Sequence, residues 1–245
     1  MEAVSSVPPQ LGAKAIMSQR WSDASFLHWR VSPDQVARYM PEGCVPDIVD
    51  GSAWVGLIAF QMSRSAFFGG PPIPWLGDFP EVNVRLYSVD RQGRRSVVFL
   101  SLEASHLLPV LCARAVFGLK YQWASMAIER QNGQISYSTR RHGNREARSN
   151  LIVEPQSDGI ESLPENEQAS AIALTARWAF HQRHLGRTLY CRNFHEPWPL
   201  RTARLVSLDD QLLAAAGFEG LAAREPDSVL YAHAVDTVFA APISL

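Results

Sequence analysis

The chain has 245 residues, 47% hydrophobic and 19% charged, with a formal net charge of −1. A length of this order fits one or two domains around a sizeable core, and the composition excludes a disordered chain. The near-zero charge argues against a nucleic-acid binder. Lys14 and Lys120 are the only lysines among 23 basic residues, so lysine chemistry has two candidates.

Residues 1–18 are expected to form a flexible tail ahead of a single domain over 19–245. The N-terminal segment has no apolar stretch of the secretory kind, and no apolar run approaches the roughly 18 residues of a spanning helix. A soluble cytoplasmic protein is expected. Cys44, Cys112 and Cys191 are too scattered for a disulfide framework or a zinc site, so free thiols are expected.

The span 25–31 predicts a strand with Leu27, Trp29 and Val31 on one face. A short helix follows, with Ser32 as N-cap, Pro33 at its first position and Gln35 completing a capping box. Asp50-Gly51 before an apolar run predicts a tight hairpin turn. Residues 63–80 read as a long loop holding Phe67, Phe68, Trp75, Leu76 and Phe79. A loop so long and aromatic is expected to cover a core or close a pocket.

Strict alternation over 81–89 predicts a strand with Glu81, Asn83, Arg85 and Tyr87 on one face and Val82, Val84 and Leu86 on the other. A returning strand over 95–102, a helix over 104–119 and a hairpin built on Asn132-Gly133 come next. A strand over 145–154 and a helix over 164–180 follow. His181 and His184 are placed near that helix end, as exposed residues. Strands over 186–194 and 200–206, a helix over 208–216 capped by Ser207, and a strand over 229–239 complete the chain. Nine or ten strands and three or four helices, mostly joined by short turns, point to antiparallel pairing rather than a doubly wound sheet.

The common nucleotide, serine-hydrolase and zinc-protease motifs are absent. The Glu81-Asn83-Arg85-Tyr87 row is the sharpest local signal. It reads either as a solvated strand face or as the lining of a polar cavity, where Arg85 would clamp a carboxylate and Glu81 would move a proton. The arginines at 177, 183 and 187 would repel a metal cation from the nearby histidines. Arg140, Arg141, Arg145 and Arg148 form a basic run with His142, read as a solvated loop from which Arg140 can turn inward. The seven tryptophans fit either a filled core or an apolar ligand pocket.

Several runs together resemble the YqjF-like family of uncharacterised bacterial proteins. They are Trp29-Arg30-Val31 with Pro33, Pro41-x-Gly43, and Asp50-Gly51-x-Ala53-Trp54-Val55-Gly56-Leu57. Glu81-x-Asn83-x-Arg85-x-Tyr87, Phe99-x-Ser101-Leu102, Arg114 before Gly118, and His195-x-Pro197-Trp198 extend the resemblance over about residues 20–240. More distantly the arrangement is similar to the acetoacetate decarboxylase-like superfamily. That resemblance implies a large bent antiparallel sheet around a cavity, and it matches Glu81 to the superfamily's strand glutamate. In the true decarboxylases a lysine in the segment Gly-Tyr-Pro-Lys-Lys-Leu-Ala forms a Schiff base with a keto acid. Here the segment is Gly118-Leu119-Lys120-Tyr121-Gln122-Trp123-Ala124, which puts Tyr121 at the nucleophile's position. A one-residue offset on a strand turns Lys120 to the opposite face, so no Schiff base is expected there.

The expected fold is therefore β-dominated α+β, a bent antiparallel sheet closing into an acetoacetate decarboxylase-like barrel with a few peripheral helices. The expected ligand is a small apolar carboxylic or keto acid. Glu81 is the candidate acid/base and Tyr121 a hydrogen-bond donor. Arg85 or Arg114 is the carboxylate anchor, and Asn83 and Tyr87 complete the binding row. No cofactor, metal, nucleic acid or membrane is expected, and a homo-oligomer is compatible with the sequence. A non-catalytic ligand- or partner-binding barrel is the alternative.

Overall fold

Two-residue alternation governs nearly every extended segment of the computed structural model, which describes residues 4–74, 77–106 and 118–245. The chain runs through β1 (Ala15–Val31), β2 (Cys44–Pro46), β3 (Ala53–Phe67), β4 (Phe79–Asp90), β5 (Arg95–Ala104), β6 (Tyr121–Gln131) and β7 (Gln134–Arg141). It continues through β8 (Arg148–Gly159), β9 (Ala179–His184), β10 (Arg187–His195), β11 (Leu200–Asp210), β12 (Ser228–Ala240) and β13 (Ile243–Ser244). All thirteen described strands join one bent sheet, which comes back on itself where β4 pairs with β5 and β10 with β12. Pairing is antiparallel except where β5 meets β6 and touches β9.

The sheet separates two apolar clusters. On one face Leu27, Trp29, Val55, Leu57, Val82, Val84 and Leu86 pack with Leu151 and Leu213. On the other, Phe26, Trp54, Ile58 and Tyr87 belong to one cluster with Phe60, Leu102, Tyr121 and Phe180, and the last four line a cavity. β4 is thus buried on both faces, as its apolar row and its polar row together require. Truncating a fully buried leucine such as Leu57 costs about 2–5 kcal/mol in cores of this kind.

Two bulges decide which residues face the cavity. In β1 the register slips between Ser22 and Ser25, at Asp23 with φ 49°. The cavity face therefore passes from Met17, Gln19 and Trp21 to Ala24 and Phe26. In β5, Val84 pairs with Ser101 but Arg85 with Phe99, which leaves Leu100 as the extra residue. Val97 and Phe99 share the cavity side before it, Leu102 after it. An inserted residue flips the alternation in this way wherever it falls.

The local signals of the sequence are matched closely. Ser32 donates its backbone N–H to Oε1 of Gln35 at 2.9 Å ahead of the helix Pro33–Ala37. Asp50-Gly51 and Asn132-Gly133 both take positive φ at tight turns. Other expectations are corrected. β1 begins at Ala15, inside the segment expected as tail. β3 continues to Phe67, which shortens the expected loop, and Phe67 and Phe68 face solvent instead of covering the core. Trp75, Leu76 and most of the helix expected over 104–119 lie outside the described residues. The helix Glu165–Thr175 ends early, and His181 and His184 sit on strand β9, with His181 fully buried. β11 runs to Asp210, whose Oδ2 accepts from Leu213 N at 2.8 Å; the helix Leu212–Ala215 therefore starts from Gln211 as N-cap, with Asp210, not Ser207, as the side-chain acceptor for its first turn. Arg141, not Arg140, turns inward, onto Glu103 at 2.7 Å. No helix among the described residues is long and apolar enough to cross a membrane.

Candidate functional site

The cavity has a volume of about 100 Å³. Its walls are mainly apolar, with the aromatic rings of Trp21, Phe60, Phe99, Phe180, Trp198 and Phe239 among them. The polar side chains that reach it are Glu81 and Arg85 from β4, Tyr121 from β6, Asn193 and His195 from β10, Gln19 from β1, Thr175 at the end of the helix Glu165–Thr175, and Arg177 just after it. A largely apolar cavity with a few convergent polar groups is the usual form of a small-molecule site.

Glu81 is 3% exposed. Tyr121 donates its hydroxyl to Oε2 at 2.6 Å, and Asn83 donates Nδ2 to Oε1 at 3.2 Å. Burial pushes the Glu81 carboxyl up to about 7, against the opposing pull of these two bonds. Burial, then the neighbouring Glu81 charge, holds the Tyr121 phenol well above its ordinary value. Tyr121 is therefore a donor throughout the neutral range, while Glu81 exchanges its proton near pH 7.

Arg85 donates from Nε to the Tyr87 hydroxyl at 3.0 Å and from Nη2 to the carbonyl of Leu174 at 3.1 Å. Its guanidinium also lies 5.7 Å from the Phe26 ring and 5.4 Å from the Tyr87 ring. No carboxylate among the described residues pairs with it, and three of its five N–H groups stay available. Arg177 is the opposite case. It donates from Nη1 to Oδ2 of buried Asp47 at 2.5 Å and from Nε to the carbonyl of Ala173 at 2.6 Å, so it has a carboxylate partner, one it shares with Arg95.

The structure thus brings Glu81, Arg85 and Tyr121 to one cavity. Asn83 and Tyr87 sit behind them and hold the heads of Glu81 and Arg85. Arg114 lies outside the described residues. Lys120 turns to the far side of the sheet from Tyr121, and neither it nor Lys14 lines the cavity. The sequence reading missed Arg177, which looked like part of a helix, and Asn193 and His195, whose signal was the alternation of Cys191, Asn193 and His195 on β10. It also missed His28, fully buried on β1, with both ring nitrogens unpartnered and burial depressing its pKa. Among the described residues no three His, Cys, Asp or Glu side chains cluster as a metal site.

Comparison with known proteins agrees with this architecture. The chain is 30% identical over 225 residues to the uncharacterized protein YqjF of Bacillus subtilis (strain 168), covering 91% of this chain and 90% of that one. Acetoacetate decarboxylase from Legionella pneumophila superimposes with a TM-score of 0.62 at 11% identity, covering 100% of this chain and 91% of that one. The enduracididine biosynthesis enzyme MppR, solved in complex with pyruvate, gives 0.59 at 15% identity, covering 95% and 91%. These likenesses establish a shared fold, one bent sheet of the acetoacetate decarboxylase type. With the family match running over residues 18–236, from the first strand to the last long one, the chain belongs to the DUF2071 family of uncharacterized conserved proteins.

Proposed function

We propose that the cavity binds a small apolar carboxylic or keto acid, with the carboxylate on Arg85 and the Glu81–Tyr121 pair exchanging a proton with the ligand. One observation carries this reading. A guanidinium without a carboxylate partner among the described residues and a buried carboxyl that titrates near pH 7 project from the same face of β4 into the same apolar cavity. Cationic side chains held in apolar surroundings want an anion, and a carboxyl tuned toward neutrality is suited to acid/base work. The pyruvate complex of MppR supports a keto acid as one ligand class for this fold. Because neither lysine lines the cavity, the proposed chemistry runs through Glu81 and not through an imine.

Calorimetric titration with four-carbon carboxylates tests the binding. Arg85→Met is expected to weaken binding at least about tenfold, since hydrogen bonds to charged groups contribute about 1.5–3 kcal/mol, while circular dichroism shows the fold intact. Equal affinity in the variant would remove Arg85 as the anchor. The chemistry is tested by proton NMR of 2-oxobutanoate in deuterium oxide. Glu81 as base predicts exchange of the C3 protons, lost in Glu81→Gln. Binding without exchange in the wild type would favour the second reading, a non-catalytic binding protein, which the absence of a lysine from the cavity also supports.

A further inference from the structure

His195 lines the cavity and has one ring nitrogen, Nε2, without a partner among the described residues. It closes β10 and lies 1% exposed among three indoles, with centroid distances of 5.9 Å to Trp21, 4.7 Å to Trp178 and 5.1 Å to Trp198. These contacts fix the ring plane. Nδ1 stands 2.7 Å from the carbonyl oxygen of Glu196. A carbonyl only accepts, so the proton is on Nδ1, and Nε2 carries the lone pair. No described group donates to Nε2. Both ring nitrogens of His28 are sealed within the packing, whereas Nε2 of His195 is not, and His195 lines the cavity.

We propose that His195 is a ligand-binding residue that accepts a hydrogen bond from a hydroxyl of the bound acid, so that the site prefers short hydroxy acids to unsubstituted ones. This rests on the reading of Arg85 as carboxylate anchor. An unmet acceptor in an aromatic wall is costly to leave and favours a ligand that brings a donor. A carboxylate has no proton to give, so the group at Nε2 must be a different part of the ligand from the group on Arg85. An ammonium is disfavoured there because the Arg85 charge already acts on this imidazole and would repel a second cation. A hydroxyl meets the need without a charge. Burial holds the ring's pKa down to about 4, which keeps the acceptor neutral through the physiological range. Size narrows the class further. An apolar cavity of about 150 Å³ holds a benzene, so the smaller space here suits about four carbons.

The test compares butanoate with 2-hydroxybutanoate and 3-hydroxybutanoate by calorimetric titration. At least one hydroxy acid is expected to bind wild type about five- to tenfold tighter than butanoate. The preference should vanish in His195→Phe, which keeps an aromatic ring but no acceptor, and persist in His195→Gln, whose amide oxygen can accept. Nitrogen NMR on the unmodified protein needs no variant. The Nε2 resonance should move with the preferred hydroxy acid and stay in place with butanoate. Equal affinity for all three acids in wild type, a preference that survives in His195→Phe, or an unmoved Nε2 resonance would overturn the assignment while leaving the Arg85 anchor standing. Failure of all three acids to bind would instead sink the anchor, and this inference with it.

Discussion

Glu81 and Glu103 are both buried glutamates on neighbouring strands, one register step apart, since Glu81 pairs with Ala104 and Val82 with Glu103. That single step puts them on opposite faces of the sheet. Burial pushes both carboxyls up to about 7. Their surroundings differ in kind. Arg141 donates to Glu103 from both Nε and Nη2, Ser101 lies 3.4 Å from its second oxygen, and the group is closed off in the packing. Glu81 has a phenol and an amide for partners, no cation among the described residues, and a cavity before it. An elevated pKa therefore marks a chemical site only where the group also meets space that a ligand can enter. By that criterion Glu81 is the candidate carboxyl for the proposed chemistry, whereas Glu103 is half of a buried ion pair.

The contrast is broken most forcefully at Arg141. Removing one partner of a buried pair strands the other charge, so Arg141→Met should lower stability by about 3–5 kcal/mol in urea unfolding. Carboxylate binding should be unchanged under conditions where the variant is folded. A loss below about 1 kcal/mol, the range of exposed pairs, would mean Glu103 is not held as described.

Glu81→Gln sharpens the other half. A carboxyl whose folded pKa is raised from 4.5 to about 7 contributes stability that is fully present below about 4.5 and lost as pH rises through 7. Stability from this group should therefore fall by up to about 1.4 kcal/mol per pH unit across that window. Depressed histidines such as His181 and His195 act with the opposite sign between their lowered values and 6.5, so the wild-type curve alone is not diagnostic. The stability difference between Glu81→Gln and wild type is. It should grow in favour of the variant from pH 4.5 to 7, and a constant difference would contradict the assignment.

Tyr121→Phe should act more gently. It removes a bond that favours the ionised Glu81, so the Glu81 pKa should rise further above 7, with a stability loss of about 1 kcal/mol. A lowered Glu81 pKa would show that the phenol does not donate to this carboxylate. The smallest effect belongs to Lys120. Lys120→Ala should stay within about 0.5 kcal/mol of wild type, and borohydride reduction with 2-oxobutanoate should leave no adduct on the Lys120 peptide. A stoichiometric adduct would restore imine chemistry.

The inner row of β4 was legible because alternation is local, and a strand bearing valines on one face and hydrogen-bonding groups on the other states its own orientation. The capping box at Ser32 and the turns at Asp50 and Asn132 were legible for the same reason. The β9–β10 hairpin was not. Its turn is Leu185-Gly186, with Leu185 at φ 47°, and leucine carries no turn signal. The helical composition over 164–180 therefore ran on, hiding both the strand that carries His181 and the release of Arg177 toward Asp47, 130 residues away. The bulges at Asp23 and Leu100 were equally hidden. A one-residue slip is defined only against a partner strand, and here it decides which of two alternating rows meets the cavity.

The proposed site requires that a small carboxylate enter the cavity beside Glu81. An NMR titration of the Glu81 side-chain carboxyl carbon, with and without saturating 2-hydroxybutanoate, measures this directly. A carboxylate seated on Arg85 adds negative charge near Glu81 and disfavours its ionised form, so the pKa should move upward from about 7. By linkage, the acid should bind more tightly as pH falls through that value. A Glu81 titration that the acid leaves unchanged, at concentrations where calorimetry shows saturation, would place the ligand away from Glu81 and remove this cavity as the carboxylate site.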